Sequence, residues 1–145
     1  MDLNGSAARP VTPSISPGAS SHYESKQVSP DSRLIFARDL AGRGMLYPIA
    51  GGEARPIPGW QSEDIWIRWS GDGRAAYVYH DEKTSATVYR LDVGTGKREH
   101  FATLAPGDPA GVTSLHRVRM SADNKTFAYS YFREQSDLFL VQGAK

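Results

Sequence analysis

Trp69-Ser70-Gly71-Asp72-Gly73-Arg74 decides the reading of this chain because of what flanks it. Before it, Ile65-Trp66-Ile67-Arg68-Trp69 carries large apolar residues at close spacing, and after it comes the apolar run Ala75-Ala76-Tyr77-Val78-Tyr79. Two apolar runs separated by Gly, Asp and Gly predict two antiparallel strands joined by a tight turn. The turn recurs in altered form as Val28-Ser29-Pro30-Asp31-Ser32-Arg33 and as Met120-Ser121-Ala122-Asp123-Asn124-Lys125. Its serines lie 41 and 51 residues apart. A turn used three times is information about architecture more than about chemistry. Periods of about 40–50 residues with four short strands each are those of β-propeller blades.

Working outward, the first unit reads as strands over 23–28, 34–37 and 45–49, with a hairpin turn at Gly51-Gly52-Glu53. Pro48 lacks an N–H, so its strand has a free side or a bulge there. The second unit reads as four strands over 65–69, 75–79, 87–93 and 98–103. The charged loop His80-Asp81-Glu82-Lys83-Thr84-Ser85 and the turn Gly94-Thr95-Gly96-Lys97 connect the later ones. The third unit follows a Pro- and Gly-rich loop at 105–111, which accounts for the longer spacing. Its strands are expected at 115–120, 127–132 and 137–141, with no fourth. The second strand of each unit is nearly continuously apolar, which suits strands buried on both faces. No stretch keeps helical periodicity over three turns. The expected fold is therefore all-β, a partial β-propeller of three four-stranded antiparallel blades, the last lacking its outer strand. The blades fall at about 23–58, 63–104 and 113–142 of a domain over 21–145. Residues 1–20, rich in Ser, Pro, Gly and Ala, are expected to be a flexible tail.

Trp-Ser-x-Asp-Gly-Arg/Lys, then an aromatic-rich strand, a Leu/Tyr-rich strand and Gly-Gly-Glu, resembles the TolB-type, WD-like β-propeller repeat. The residues that carry the resemblance are 69–74, 29–33 and Gly51-Gly52-Glu53-Ala54-Arg55. The third turn departs from it at Ala122 and Asn124. Asn tolerates the left-handed conformation that Gly supplies, so the turn is expected to survive. The stretch at 129–143 is similar to the C-terminus of large bacterial serine/threonine kinases whose sensor region is a TolB-like propeller. Similar propellers end bacterial winged-helix regulators. The chain has no His-Arg-Asp loop, no Asp-Phe-Gly and no Gly-rich phosphate loop with a paired lysine. The resemblance thus implies at most the sensor end of such a protein. Some peptidases also carry a propeller beside their hydrolase domain, and the chain could serve as such a module.

Composition narrows the function classes. Of 145 residues, 39% are hydrophobic and 23% charged, enough for a modest core. The net charge of +1, from 17 basic and 16 acidic residues, offers no basic excess for nucleic acid or an anionic membrane. Cysteine is absent, which removes disulfides, thiolate zinc sites and a cysteine nucleophile. The opening residues have neither the basic nor the apolar region of a signal peptide. No apolar run approaches the roughly 18 residues of a membrane span. A soluble chain is expected, cytoplasmic if free-standing and extracytoplasmic if it belongs to a membrane receptor kinase.

The motifs that suggest chemistry each meet a structural reading. Gly94-Thr95-Gly96-Lys97 lacks the earlier Gly of a phosphate loop, where Leu91 stands, and the following Ser/Thr, where Arg98 stands, so a hairpin turn is expected. Asp31, Asp72 and Asp123 lack the alternating oxygen ligands of a calcium loop and are expected to accept backbone N–H bonds in their turns. The four histidines, His22, His80, His100 and His116, have no metal-binding spacing. There is no Gly-x-Ser-x-Gly elbow. Trp66 and Trp69 are expected in the core, while Trp60 after Pro58-Gly59 could be core or ligand surface. The leading expectation is a non-catalytic recognition or scaffold module without cofactor or metal, taking a protein or small-molecule ligand. Binding would use rim loops at 39–44, 58–64, 80–85 and 106–113, through Arg38, Arg43, Trp60, Glu63, Asp64, His80, His116 and Arg117. Three blades do not close a ring, so self-association or docking to missing blades is expected as well.

Overall fold

The structure, a computed structural model, describes residues 27–140, 142 and 143. The expected tail at 1–20, residues 23–26 of the expected first strand and Val141 of the expected last strand lie outside the described residues.

The three Ser-x-Asp turns are built alike. Each serine hydroxyl donates to the aspartate two residues on, at 2.6 Å for Ser29 and Asp31, 2.6 Å for Ser70 and Asp72, and 2.5 Å for Ser121 and Asp123. The same oxygen accepts the N–H five residues on, of Leu34, Ala75 and Thr126, at 2.9 to 3.0 Å. The carboxylate accepts the N–H of Arg33, Arg74 and Lys125, each at 3.1 Å. The aspartate therefore caps the turn, as expected, with its acceptor capacity aimed at backbone. Three residues after each serine, the chain turns left-handed at Ser32 (φ 58°), Gly73 (φ 69°) and Asn124 (φ 62°). Asn124 does keep the turn that Gly73 makes without steric cost.

These turns join strands into three antiparallel sheets. The first contains β1 (Gln27–Val28), β2 (Leu34–Arg38), β3 (Gly44–Pro48) and β4 (Arg55–Pro56), hydrogen-bonded in that order. The second contains β5 (Ile65–Trp69), β6 (Ala75–Asp81), β7 (Ala86–Asp92) and β8 (Arg98–Leu104), again in order. The third is a single pair, β9 (Val112–Met120) with β10 (Phe127–Arg133). No helix occurs among the described residues, so the fold is all-β. The connection at 93–97 is a hairpin turn: Asp92 Oδ1 accepts the N–H of Gly94 and Thr95 and the Thr95 hydroxyl, and Asp92 N–H bonds Lys97 O at 2.9 Å.

The second sheet is covered on both faces. One core packs Phe36 and Leu46 of the first sheet, with Ile57 of the link, against Trp66, Trp69, Ala76, Val78, Leu91 and Val93. The Phe36 and Trp66 rings stack at 3.9 Å and 14°. The other core packs Ile67, Tyr77, Tyr79, Ala86 and Val88 against Leu115 and Val118 of the third sheet, bordered by Phe127 and Tyr129. The turn serine sets the direction in which side chains point. Seven residues beyond it, Phe36 and Tyr77 face the following sheet. Six and eight beyond it, Ala76 with Val78, and Phe127 with Tyr129, face the preceding one. This explains why Ala75-Ala76-Tyr77-Val78-Tyr79 is continuously apolar: none of the five is more than 4% exposed. A bulge at Ile67 puts Arg68 on the face of Tyr77, where its guanidinium reaches the third turn at Ser121 O and Asn124 Oδ1.

Three expectations are corrected. His80 and Asp81 belong to β6, and Val112 and Thr113 to β9, because pairing of His80 with Thr87, Asp81 with Ala86, and Val112 with Arg133 extends the ladders. β10 is half-open, not buried on both faces, since no further sheet lies beyond it among the described residues. Residues 137–140 form no strand. The preceding Glu134-Gln135-Ser136 offers neither Gly nor Asn for a reversal, and Glu134 N–H instead bonds Gly111 O at 2.9 Å.

Candidate functional site

The connections expected to carry function gather at one end of the stack, linked by side-chain contacts. At the first, Arg38 closes β2 by donating Nε to Gly42 O at 3.2 Å and Nη2 to Ser62 O. Its guanidinium lies 5.7 Å from the centre of the Trp60 ring. Trp60 is half-buried, its Nε1 donating to Gly42 O at 3.1 Å and its ring 5.2 Å from Phe36. The indole fits because position 44 is glycine: a Cβ there would lie 2.5 Å from the ring. Trp60, a residue of the link, is thus packed against the first sheet. Arg43 stands outward, 69% exposed, with Nε on Asp39 Oδ2 at 2.7 Å. Burial works against the Asp39 charge, yet bonds from the Arg43 backbone and guanidinium and from Ala41 N–H hold its carboxyl below the ordinary value.

Next to it lies the most buried polar group of the site. Asp64 is completely buried, immediately before β5. Its Oδ2 accepts Gln61 N–H and Arg98 Nη1, both at 2.8 Å. Its Oδ1 accepts Arg98 Nη2 at 2.9 Å and meets His80 Nε2 at 2.8 Å. A carboxylate can only accept, so His80 carries its proton on Nε2 and donates it here. The Arg98 Nη2 approach to the same ring nitrogen at 3.3 Å is then a contact between two donors and not a bond. Arg98 also lies 4.5 Å from the Tyr89 ring centre, and His80 packs on that ring at 5.2 Å. Four donors occupy the four lone-pair sites of Asp64, which leaves it no capacity for a metal or a substrate. Its chemistry is that of an anchor.

The line continues to the third sheet. His116 Nδ1 lies 3.6 Å from Asp81 Oδ2, its Nε2 2.9 Å from Ser114 Oγ, and its ring 5.5 Å from Phe132. Arg133 donates to Asp108 at the edge of the next loop. Arg117 is exposed and left-handed, with φ 55°. Glu63 is exposed, its carboxyl held below the ordinary value by its own backbone N–H and the Ser62 hydroxyl.

The eight candidate residues thus fall into three roles. Asp64, His80, Trp60 and Arg38 hold the link between the first two sheets. His116 joins the second sheet to the third. Arg43, Glu63 and Arg117 face outward. Arg98 was missed as the partner of Asp64, and Tyr89 as the ring against which Arg98 and His80 pack. A usable signal was there: Arg98 pairs with the inward Leu91, so alternation puts a charge on a buried face. Among the described residues, no cluster of His, Cys, Asp or Glu is placed to hold a metal ion, and no helix is long and apolar enough to cross a membrane. No protein-family profile matches the chain, and no curated protein matches it in sequence.

Proposed function

We propose that the chain is a partial β-propeller of three blades, the last incomplete, that acts as a recognition module. It binds a protein or small ligand through the loops at the end described above, without catalysis of its own. What supports this most is the repeated Ser-x-Asp turn with its fixed facing rule, by which the same positions meet in both sheet-to-sheet cores. Sheets stacked in this way present their connections at the two ends, where propellers take ligands. Outward charges of both signs, Arg43 and Glu63, stand there, and Arg117 faces outward from within β9. The test compares the whole chain with an Arg43→Ala, Glu63→Ala, Arg117→Ala variant of unchanged melting midpoint, each used to capture partners from its own cell extract. A partner enriched at least tenfold by the natural chain alone supports the reading. Equal capture by both sinks it.

A further inference from the structure

We propose that residues 138–140 are a strand donor that pairs with the open edge of β10 in a second copy of this chain, reciprocally. This goes beyond the recognition reading and does not depend on it. Three observations carry it. The first is position. In the first two units the third strand starts at Gly44 and Ala86, 15 and 16 residues beyond the turn serines. Sixteen residues beyond Ser121 is Asp137, so Leu138-Phe139-Leu140 occupies the place of a third strand.

The second is exposure. Leu138, Phe139 and Leu140 are 99%, 84% and 84% exposed. Beside them, β10 pairs with β9 alone among the described residues, and Phe132 on it is 67% exposed. An unpaired strand edge next to an unpaired apolar stretch is a template and its complement.

The third is the link. The connections at 39–43 and 82–85 each contain a left-handed residue, Gly42 (φ 79°) and Lys83 (φ 63°), that reverses the chain into the third strand. At 134–136 the link is shorter, three residues, and has no residue of positive φ. Three-residue hairpin loops need such a residue. The Glu134 bond to Gly111 O also draws the chain along β9, away from the reversal that a local hairpin requires. A short link that cannot fold back leaves its strand to be exchanged with an identical edge. A second copy is the occupant that supplies the same edge and accepts the same strand.

Light scattering of the full chain in the micromolar range is expected to give twice the chain mass. Inserting two glycines between Gln135 and Ser136 gives room for a local hairpin and is expected to weaken the dimer at least tenfold. A monomeric natural chain overturns the proposal, and so does a dimer or larger species indifferent to the insertion. The chain has no cysteine, so a pair can be placed at will. With Ser130→Cys and Leu140→Cys together, oxidation is expected to give covalent dimers. A cross-linked monomer would assign the strand to its own β10, and no cross-link would remove it from that edge; either result overturns the exchange.

Discussion

Arg98 grips Asp64 with both terminal guanidinium nitrogens, at 2.8 and 2.9 Å, from β8 on one edge of the second sheet to the residue just before β5 on the other. The pair ties down the link that joins the first sheet to the second. Gly59 in that link lies so close to the hairpin turn that a Cβ on it would come within 2.4 Å of Gly96 O. With Asp64 fully buried and Arg98 only 17% exposed, the pair is desolvated and cannot be replaced by water.

Removing one partner leaves the other uncompensated. Arg98→Ala is expected to cost about 3–5 kcal/mol, the usual result of breaking a buried ion pair. Urea denaturation measures it. The double variant Asp64→Asn, Arg98→Met is expected to cost less than the two single changes added together, because the stranded charge is gone. A loss for Arg98→Ala within about 0.5 kcal/mol, the range of ordinary surface changes, would mean that the link does not depend on this grip.

The three serines are chemically alike and differ in burial. Ser70 is 5% exposed and its oxygen accepts the N–H of Ala75, itself fully buried. Ser70→Ala strands that N–H and is expected to cost about 1–3 kcal/mol. At Ser121 the partner Thr126 is exposed, so water replaces the hydroxyl and the same change is expected to cost less. Equal losses at the two positions in parallel melts would sever the effect from burial.

Much of this fold could be read from the chain because its rules are local. Ser70, Asp72 and Gly73 fix a turn within six residues, and the apolar run after it fixes a strand covered on both faces. Asn124 could be trusted in the third turn for the same local reason. The end of the third unit could not be read in this way. Leu138-Phe139-Leu140 has the composition of a strand, but pairing depends on whether residues 134–136 can reverse the chain, which composition does not report. The site was legible in half-measure. Asp64 and His80 stand out as polar residues beside strands, yet Arg98 lies 34 residues further on and is brought to Asp64 by the width of a whole sheet.

The left-handed position offers a test in both directions. Gly73 at φ 69° pays nothing there, and Gly73→Ala is expected to cost about 1–2 kcal/mol from the Cβ clash of that conformation. Ser32 bears the same strain at φ 58°, so Ser32→Gly is expected to raise the melting midpoint, less the added entropy of glycine in the unfolded chain. Opposite shifts of the two midpoints by calorimetry are the expected result. A fall in both would show that the Ser32 side chain contributes more than its backbone strain removes.

Acid should unfold the protein through the same turns. The Ser29, Ser70 and Ser121 hydroxyls, followed by the N–H groups of Arg33, Arg74 and Lys125, hold the carboxyls of Asp31, Asp72 and Asp123 below their ordinary value. In the unfolded chain these groups titrate near pH 3.9 or so. As pH falls, the unfolded chain therefore binds protons first, and the equilibrium moves toward it. The stability these groups contribute is complete above their unfolded pKa and is lost as pH drops through the lower folded values. The melting midpoint is expected to stay level from neutral pH down to about pH 5 and to fall below about pH 4. Replacing all three aspartates by asparagine is expected to lower the midpoint at neutral pH and to flatten that acid limb. Asp39 and Asp92, whose carboxyls are also held low, keep part of the slope. An acid limb as steep in the triple variant as in the natural chain would move the acid sensitivity away from the turns.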